Sequence, residues 1–120
     1  MDRKTWRKKI KAACEEAGTY RPFFDSVIDT LAGILERRDE AEKKYSDDPV
    51  IIVEHTNRGG QTNREQNPVI RLINDLNRDA LMYWRDLGLT PAGLKKINES
   101  MMTKAKKESA LEKALKNLGG

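Results

Sequence analysis

A chain of 120 residues is one domain with a modest core. With 38% apolar and 35% charged residues, its apolar surface has to be gathered onto a few helical faces, a pattern that favours burial against further copies of the chain. No apolar run approaches bilayer length, the single cysteine rules out an intramolecular disulfide, and one His with one Cys is too few ligands for a zinc site.

The net charge of +4 is unevenly spread: residues 1–11 carry +5, residues 95–120 carry +4, and the stretch between them −5. Basic ends around an acidic body point to an anionic partner met at the ends, or simply to solvated termini. The basic start is not a signal peptide, because Glu15 and Glu16 interrupt any apolar core. The expected setting is soluble and intracellular, with no membrane partner.

Residues 2–17 read as a first helix closed by Gly18, with Trp6, Ile10, Ala13 and Ala17 on one stripe. Lys4, Arg7, Lys8 and Lys11 fall on the opposite stripe, flanked by Arg3 and Lys9. Cations at this spacing can each meet a phosphate, giving affinity for DNA without reading bases. A plain solvated face and a membrane-surface helix are the competing readings of that stripe.

Arg21-Pro22 opens a second, long helix, since proline is tolerated in a first turn. Its apolar stripe runs through Phe24, Val27, Ile28, Leu31, Ile34 and Leu35 to Ala41 and Tyr45. Arg38 interrupts that seam, as a register determinant or as a residue whose stem packs while its head reaches water. At Ser46-Asp47-Asp48-Pro49 the pattern changes. The β-branched run Val50 to Val53, followed by Gly59-Gly60, predicts a short hairpin-like excursion within residues 47–66.

Asn67 is a good helix cap and Pro68 a good first helical residue. Val69, Leu72, Ile73, Leu76, Ala80, Tyr83, Trp84 and Leu87 mark the apolar face of the next helix. Gly88 supplies the stop and Thr90-Pro91 the restart. The last segment carries Leu94, Ile97, Met101, Ala105, Leu111, Leu115 and Leu118 among lysines, with Lys95 and Lys96, then Lys104, Lys106 and Lys107, as a second basic candidate.

No catalytic constellation is visible. His55 lies in a strand-like run without a nucleophile motif, and the carboxylates sit on helix faces interleaved with bases. Arg58-Gly59-Gly60 lacks the rest of a phosphate-binding loop and reads as a turn. Tyr83-Trp84 reads as core rather than as a base-stacking pair. No cofactor and no metal is expected.

Three motifs in order carry a family likeness: Thr56-Asn57-Arg58-Gly59-Gly60-Gln61-Thr62-Asn63, Asn67-Pro68, and Arg85-Asp86-Leu87-Gly88-Leu89-Thr90-Pro91. Over about residues 45–97 the chain resembles the P27-type bacteriophage terminase small subunits. The resemblance implies a non-catalytic DNA-packaging protein that forms a homo-oligomeric ring, binds double-stranded viral DNA in the cytoplasm of the bacterial host, and passes it to the terminase large subunit, which holds the ATPase and nuclease. No motif in residues 1–40 or 98–120 transfers a functional residue.

The expected fold is mainly α: a long antiparallel helical hairpin with a short β-hairpin-like excursion, plus N- and C-terminal helices. The expected organisation is a basic N-terminal helix (1–18), a central oligomerisation domain (19–97) and a basic C-terminal helix or tail (98–120). The expected DNA contacts are Arg3, Lys4, Arg7, Lys8, Lys11, Lys95 and Lys96. The expected oligomerisation residues are Phe24, Val27, Leu31, Ile34, Leu72, Leu76 and Tyr83, because the two helix stripes are too wide to bury only on each other. Two other readings stand beside this one. A helix-turn-helix regulator would use Leu87 to Pro91 as its turn, and a helical adaptor would have no nucleic-acid role.

Overall fold

The computed structural model describes residues 1–118, apart from the side chain of Ala105. Ala105 of the last apolar stripe and residues 119–120 of the C-terminal segment therefore lie outside the described residues.

Helix α1 (Arg3–Ala17) is capped by Asp2, whose carboxylate accepts the Thr5 amide, and is closed by Gly18 at φ 75°. A single 3-10 turn at Pro22–Phe24 leads into α2 (Asp25–Asp47). Strands β1 (Ile52–Thr56) and β2 (Thr62–Gln66) form one antiparallel hairpin. Helices α3 (Pro68–Asp86) and α4 (Pro91–Leu118) complete the chain. The mainly helical fold with a two-stranded excursion is the one expected.

Helix α2 is the spine. Ile28, Leu31, Ala32, Ile34 and Leu35 are buried between α1, which contributes Ile10 and Cys14, and α3, which contributes Leu76 and Ala80. Leu87 closes the far end of that cluster. Helices α2 and α3 run antiparallel: Lys44 and Val69 line one cleft near the hairpin, Arg38 meets Asn77 midway, and Phe24 and Arg85 share a notch at the other end.

The β-hairpin stands outside this core, and only Val53 among its strand residues is half-buried. Polar pairs across the strands hold it: Arg64 donates to Glu54 at 3.0 Å, and the His55 ring lies 2.6 Å from Glu65. Asn67 ties its base to α3. Its backbone N–H donates to the Ile51 carbonyl, its Nδ2 donates to the Val50 carbonyl, and its Oδ1 accepts the Val69 amide that opens the helix.

At the α3–α4 junction Gly88 takes φ 72°, and Thr90 Oγ1 accepts the Gly93 amide as the new cap. Beyond Ile97 every described side chain of α4 is exposed. The helix extends away from the body, and the subunit measures 89 × 28 × 21 Å.

Candidate nucleic-acid interface

The basic stripe lies along the flank of α1 that borders α2, rather than on the side opposite the core as expected. Lys4, Arg7, Lys8 and Lys11 line a shallow cleft of about 310 Å³ together with Asp25 and Ile28 of α2. The helical period puts these four cations on one side, and the packing of Ile10 and Cys14 onto α2 sets that side beside the start of α2.

The members of the stripe are not equivalent. Arg3 closes its guanidinium fork on Asp29, with Nε at 3.0 Å and Nη2 at 2.8 Å from the two carboxylate oxygens, and its backbone N–H donates to Glu36 at 2.6 Å. The guanidinium lies on Gly33, where a side chain would meet it at 3.1 Å. Arg7 shares Asp29 at 3.6 Å. These are docking contacts between α1 and α2: Arg3 commits its fork to them, Arg7 joins at longer range, and both side chains stay about half exposed. Lys4 and Lys8 have no ion pair among the described residues, and Lys11 lies 5.1 Å from the Tyr20 ring. Tyr20 Oη in turn donates to Asp25 at 2.7 Å, and that bond raises the phenol above its ordinary range.

Lys95 and Lys96 open α4 on different sides. Lys96 joins Lys104 and Lys107 along one shallow strip that also contains Glu99. It also borders a larger notch of about 680 Å³, lined by Arg21, Phe23, Phe24, Arg85, Ile97 and Met101 among others. That grouping was not visible in the sequence, because its residues come from the 3-10 turn, the end of α3 and the start of α4.

The hairpin tip is not an anion cradle. The amides of Gly59 and Gln61 both donate to Asn57 Oδ1 at 3.0 Å, so the turn consumes its own donors. Arg38 lies in the α1–α2–α3 seam, as a packed stem with a polar head. Its Nη2 donates to Asp39 at 3.0 Å, its guanidinium lies 5.6 Å from the Trp6 ring, and its buried Nε has no hydrogen-bond partner among the described residues. Cys14 is buried, and burial raises its thiol pKa, as befits a small core residue. Among the described residues no group of three or more His, Cys, Asp or Glu side chains could hold a metal ion, and no helix is long and apolar enough to cross a membrane.

The expected oligomerisation residues divide in two. Leu31 and Ile34 are buried inside the subunit, at 0% and 5% exposure, and leave almost no surface for a neighbour, whereas Leu76, at 8%, still lines the cleft formed with Val69 and Leu72. The correction follows from α2 being covered on two sides, by α1 and by α3, rather than on one. Leu72 is 49% exposed, and Phe24, Val27 and Tyr83 are half-buried. Leu72 lines one shallow apolar cleft with Val69, and Ile51, Ile70 and Ile73 line another beside the hairpin base.

A family model described as phage terminase, small subunit, matches residues 3–115. The chain belongs to that family. Its role lies in phage DNA packaging. Comparison with curated proteins and with solved structures returns no match.

Proposed function

We propose that this terminase small subunit is of the P27 type, assembles into a ring, binds double-stranded viral DNA through the basic flank of α1 beside α2, and recruits and regulates the large subunit in the cytoplasm of the bacterial host. The ATPase and nuclease reside on the large subunit, and this chain performs no chemistry itself. The observation that carries the reading is the cleft where Lys4, Arg7, Lys8 and Lys11 stand together on a helix already fixed to the core. One such face supplies a few phosphate contacts, and a ring repeats it in every subunit. Multivalency then turns many weak contacts into one strong, salt-sensitive attachment. Lys95 and Lys96, on different sides of the root of α4, are further basic contacts for DNA or for the large subunit. Val27, Leu72 and Tyr83, with Ile51 near the hairpin base, are the apolar surface for neighbouring subunits in the ring.

Native mass spectrometry with light scattering tests the assembly, and fluorescence anisotropy with duplex DNA at low and moderate salt tests the binding. The expected result is a closed species of many identical subunits whose affinity for DNA falls steeply with salt. A dimer that prefers a short palindrome would replace this reading with a regulator. A monomer that ignores DNA at low salt would replace it with an adaptor.

A further inference from the structure

Beyond Ile97, helix α4 carries a seam that its own subunit leaves bare. Leu94, Ile97, Met101, Lys104, Glu108, Leu111, Leu115 and Leu118 follow one another at alternating steps of three and four residues, which places them on one line of a helix. Leu94 and Ile97 are half-buried at the root, whereas Met101, Leu111, Leu115 and Leu118 are 47%, 62%, 59% and 84% exposed. The seam has two polar positions, which are neighbours of opposite charge in its middle.

We propose that α4 pairs antiparallel with α4 of a second copy of this chain, about a two-fold axis passing between Lys104 and Glu108. Three observations select that occupant and that direction. First, the antiparallel register sets Lys104 against the partner's Glu108 on both sides of the axis. It also sets Met101 against the partner's Leu111 and Ile97 against the partner's Leu115. A parallel pair in register would set lysine against lysine and glutamate against glutamate. Second, the notch at the root of α4 lies where the tip of the second helix arrives. Its floor of Phe23, Phe24, Ile97 and Met101 includes a phenylalanine that is 73% exposed, and Leu115 and Leu118 of the second copy would cover it. Third, Arg21, Arg85 and Lys96 border that notch against one carboxylate, Asp86, and the excess of cations complements the unpaired carbonyls at the C-terminal end of an incoming helix. One contact opposes the pairing: Lys107 flanks the seam near the axis and faces its own counterpart. Its stem is long enough for both ammonium groups to reach water.

The contact is isologous, so it does not depend on the ring. Between two rings it joins them face to face and doubles the subunit number. Without rings it is the dimer contact.

The test uses the full chain. Leu111→Asp with Leu115→Asp should halve the mass seen by native mass spectrometry while the helical circular dichroism of the body persists. A halving from a large assembly keeps the ring, and a halving from dimer to monomer removes the ring but keeps the pairing. An unchanged mass overturns the pairing. Lys104→Glu alone should weaken self-association by roughly fivefold, and adding Glu108→Lys should restore it. No restoration overturns the register. Finally, Met101→Cys protein mixed with Leu111→Cys protein should form a disulfide-linked pair under mild oxidation, and neither should link to itself. Self-linking of either variant alone would overturn the antiparallel direction.

Discussion

The indole Nε1 of Trp6 donates to Asp39 Oδ2 at 2.8 Å, and that bond joins α1 to α2 at the edge of the core. Arg38 donates to the other oxygen of the same carboxylate at 3.0 Å, and the amino-terminal ammonium of Met1 lies 3.4 Å away. Burial pushes the Asp39 carboxyl up, but the Trp6 N–H, Arg38 and the ammonium outweigh it and hold the group below its ordinary range. Because the folded value lies below the unfolded one, the stabilisation is fully present above the unfolded-chain value of about 3.9. It is lost as pH falls through the folded value. Asp39→Asn is expected to cost about 1–3 kcal/mol at neutral pH. Urea melts of both proteins at pH 7 and pH 3 check this. The gap should narrow at the lower pH, and a gap of constant size would assign the loss to packing.

Local chemistry was legible in the chain, and partnership between distant segments was not. Asn67-Pro68 and Thr90-Pro91 read as helix starts because a cap and its helix are adjacent in sequence, and the structure places Asn67 and Thr90 in those capping bonds. Gly18 and Gly88 read as stops for the same reason. Periodicity also marked the apolar stripes of α2 and α3, but a stripe does not say what covers it. That is why Leu31 and Ile34 looked like subunit contacts until α1 took its place on α2. Nor does spacing reveal that Arg3 finds Asp29, 26 residues away, over a glycine whose missing side chain leaves the seat open.

Arg3 and Lys8 lie on the same helix and carry the same charge, yet they should behave differently. Removing the fork in Arg3→Gln leaves Asp29 to Arg7 alone and should lower stability by about 0.5–1 kcal/mol, the pair being partly exposed. Lys8→Gln should leave stability within about 0.5 kcal/mol. The DNA effect should run the other way: Lys8→Gln reduces the slope of log affinity against log salt by about one for each bound subunit, and Arg3→Gln leaves that slope nearly unchanged. Chemical denaturation and anisotropy titrations at two salt concentrations measure both quantities.

Leu31 and Leu72 separate the core from the proposed interface. Leu31→Asp puts a carboxylate into a site with 0% exposure and should unfold the subunit. Leu72 is 49% exposed, so Leu72→Asp should leave the circular dichroism spectrum intact and shift the protein to smaller species in light scattering. A folded Leu72→Asp protein of unchanged mass would move the subunit contact to another surface.

Gly18 and Gly88 share nearly the same backbone angle, at φ 75° and 72°, and differ in what surrounds them. Alanine at Gly18 would meet nothing within 4 Å, so only the left-handed conformation opposes it, at about 1–2 kcal/mol. At Gly88 the same methyl would stand 2.7 Å from Ile97 Cδ1 and 2.8 Å from Thr19 Cγ2, and one of these side chains must move. Ile97 sits at the root of α4 and Thr19 is buried beside the end of α1, so the strain falls on the joint that sets where α4 leaves the body. Gly88→Ala should therefore cost about 1–3 kcal/mol more than Gly18→Ala. It should also raise amide exchange in residues 89–97 with little change in α1. Thermal melts and hydrogen exchange on the two variants make the comparison. Equal losses would mean that Ile97 and Thr19 yield without cost and that the junction is loosely packed.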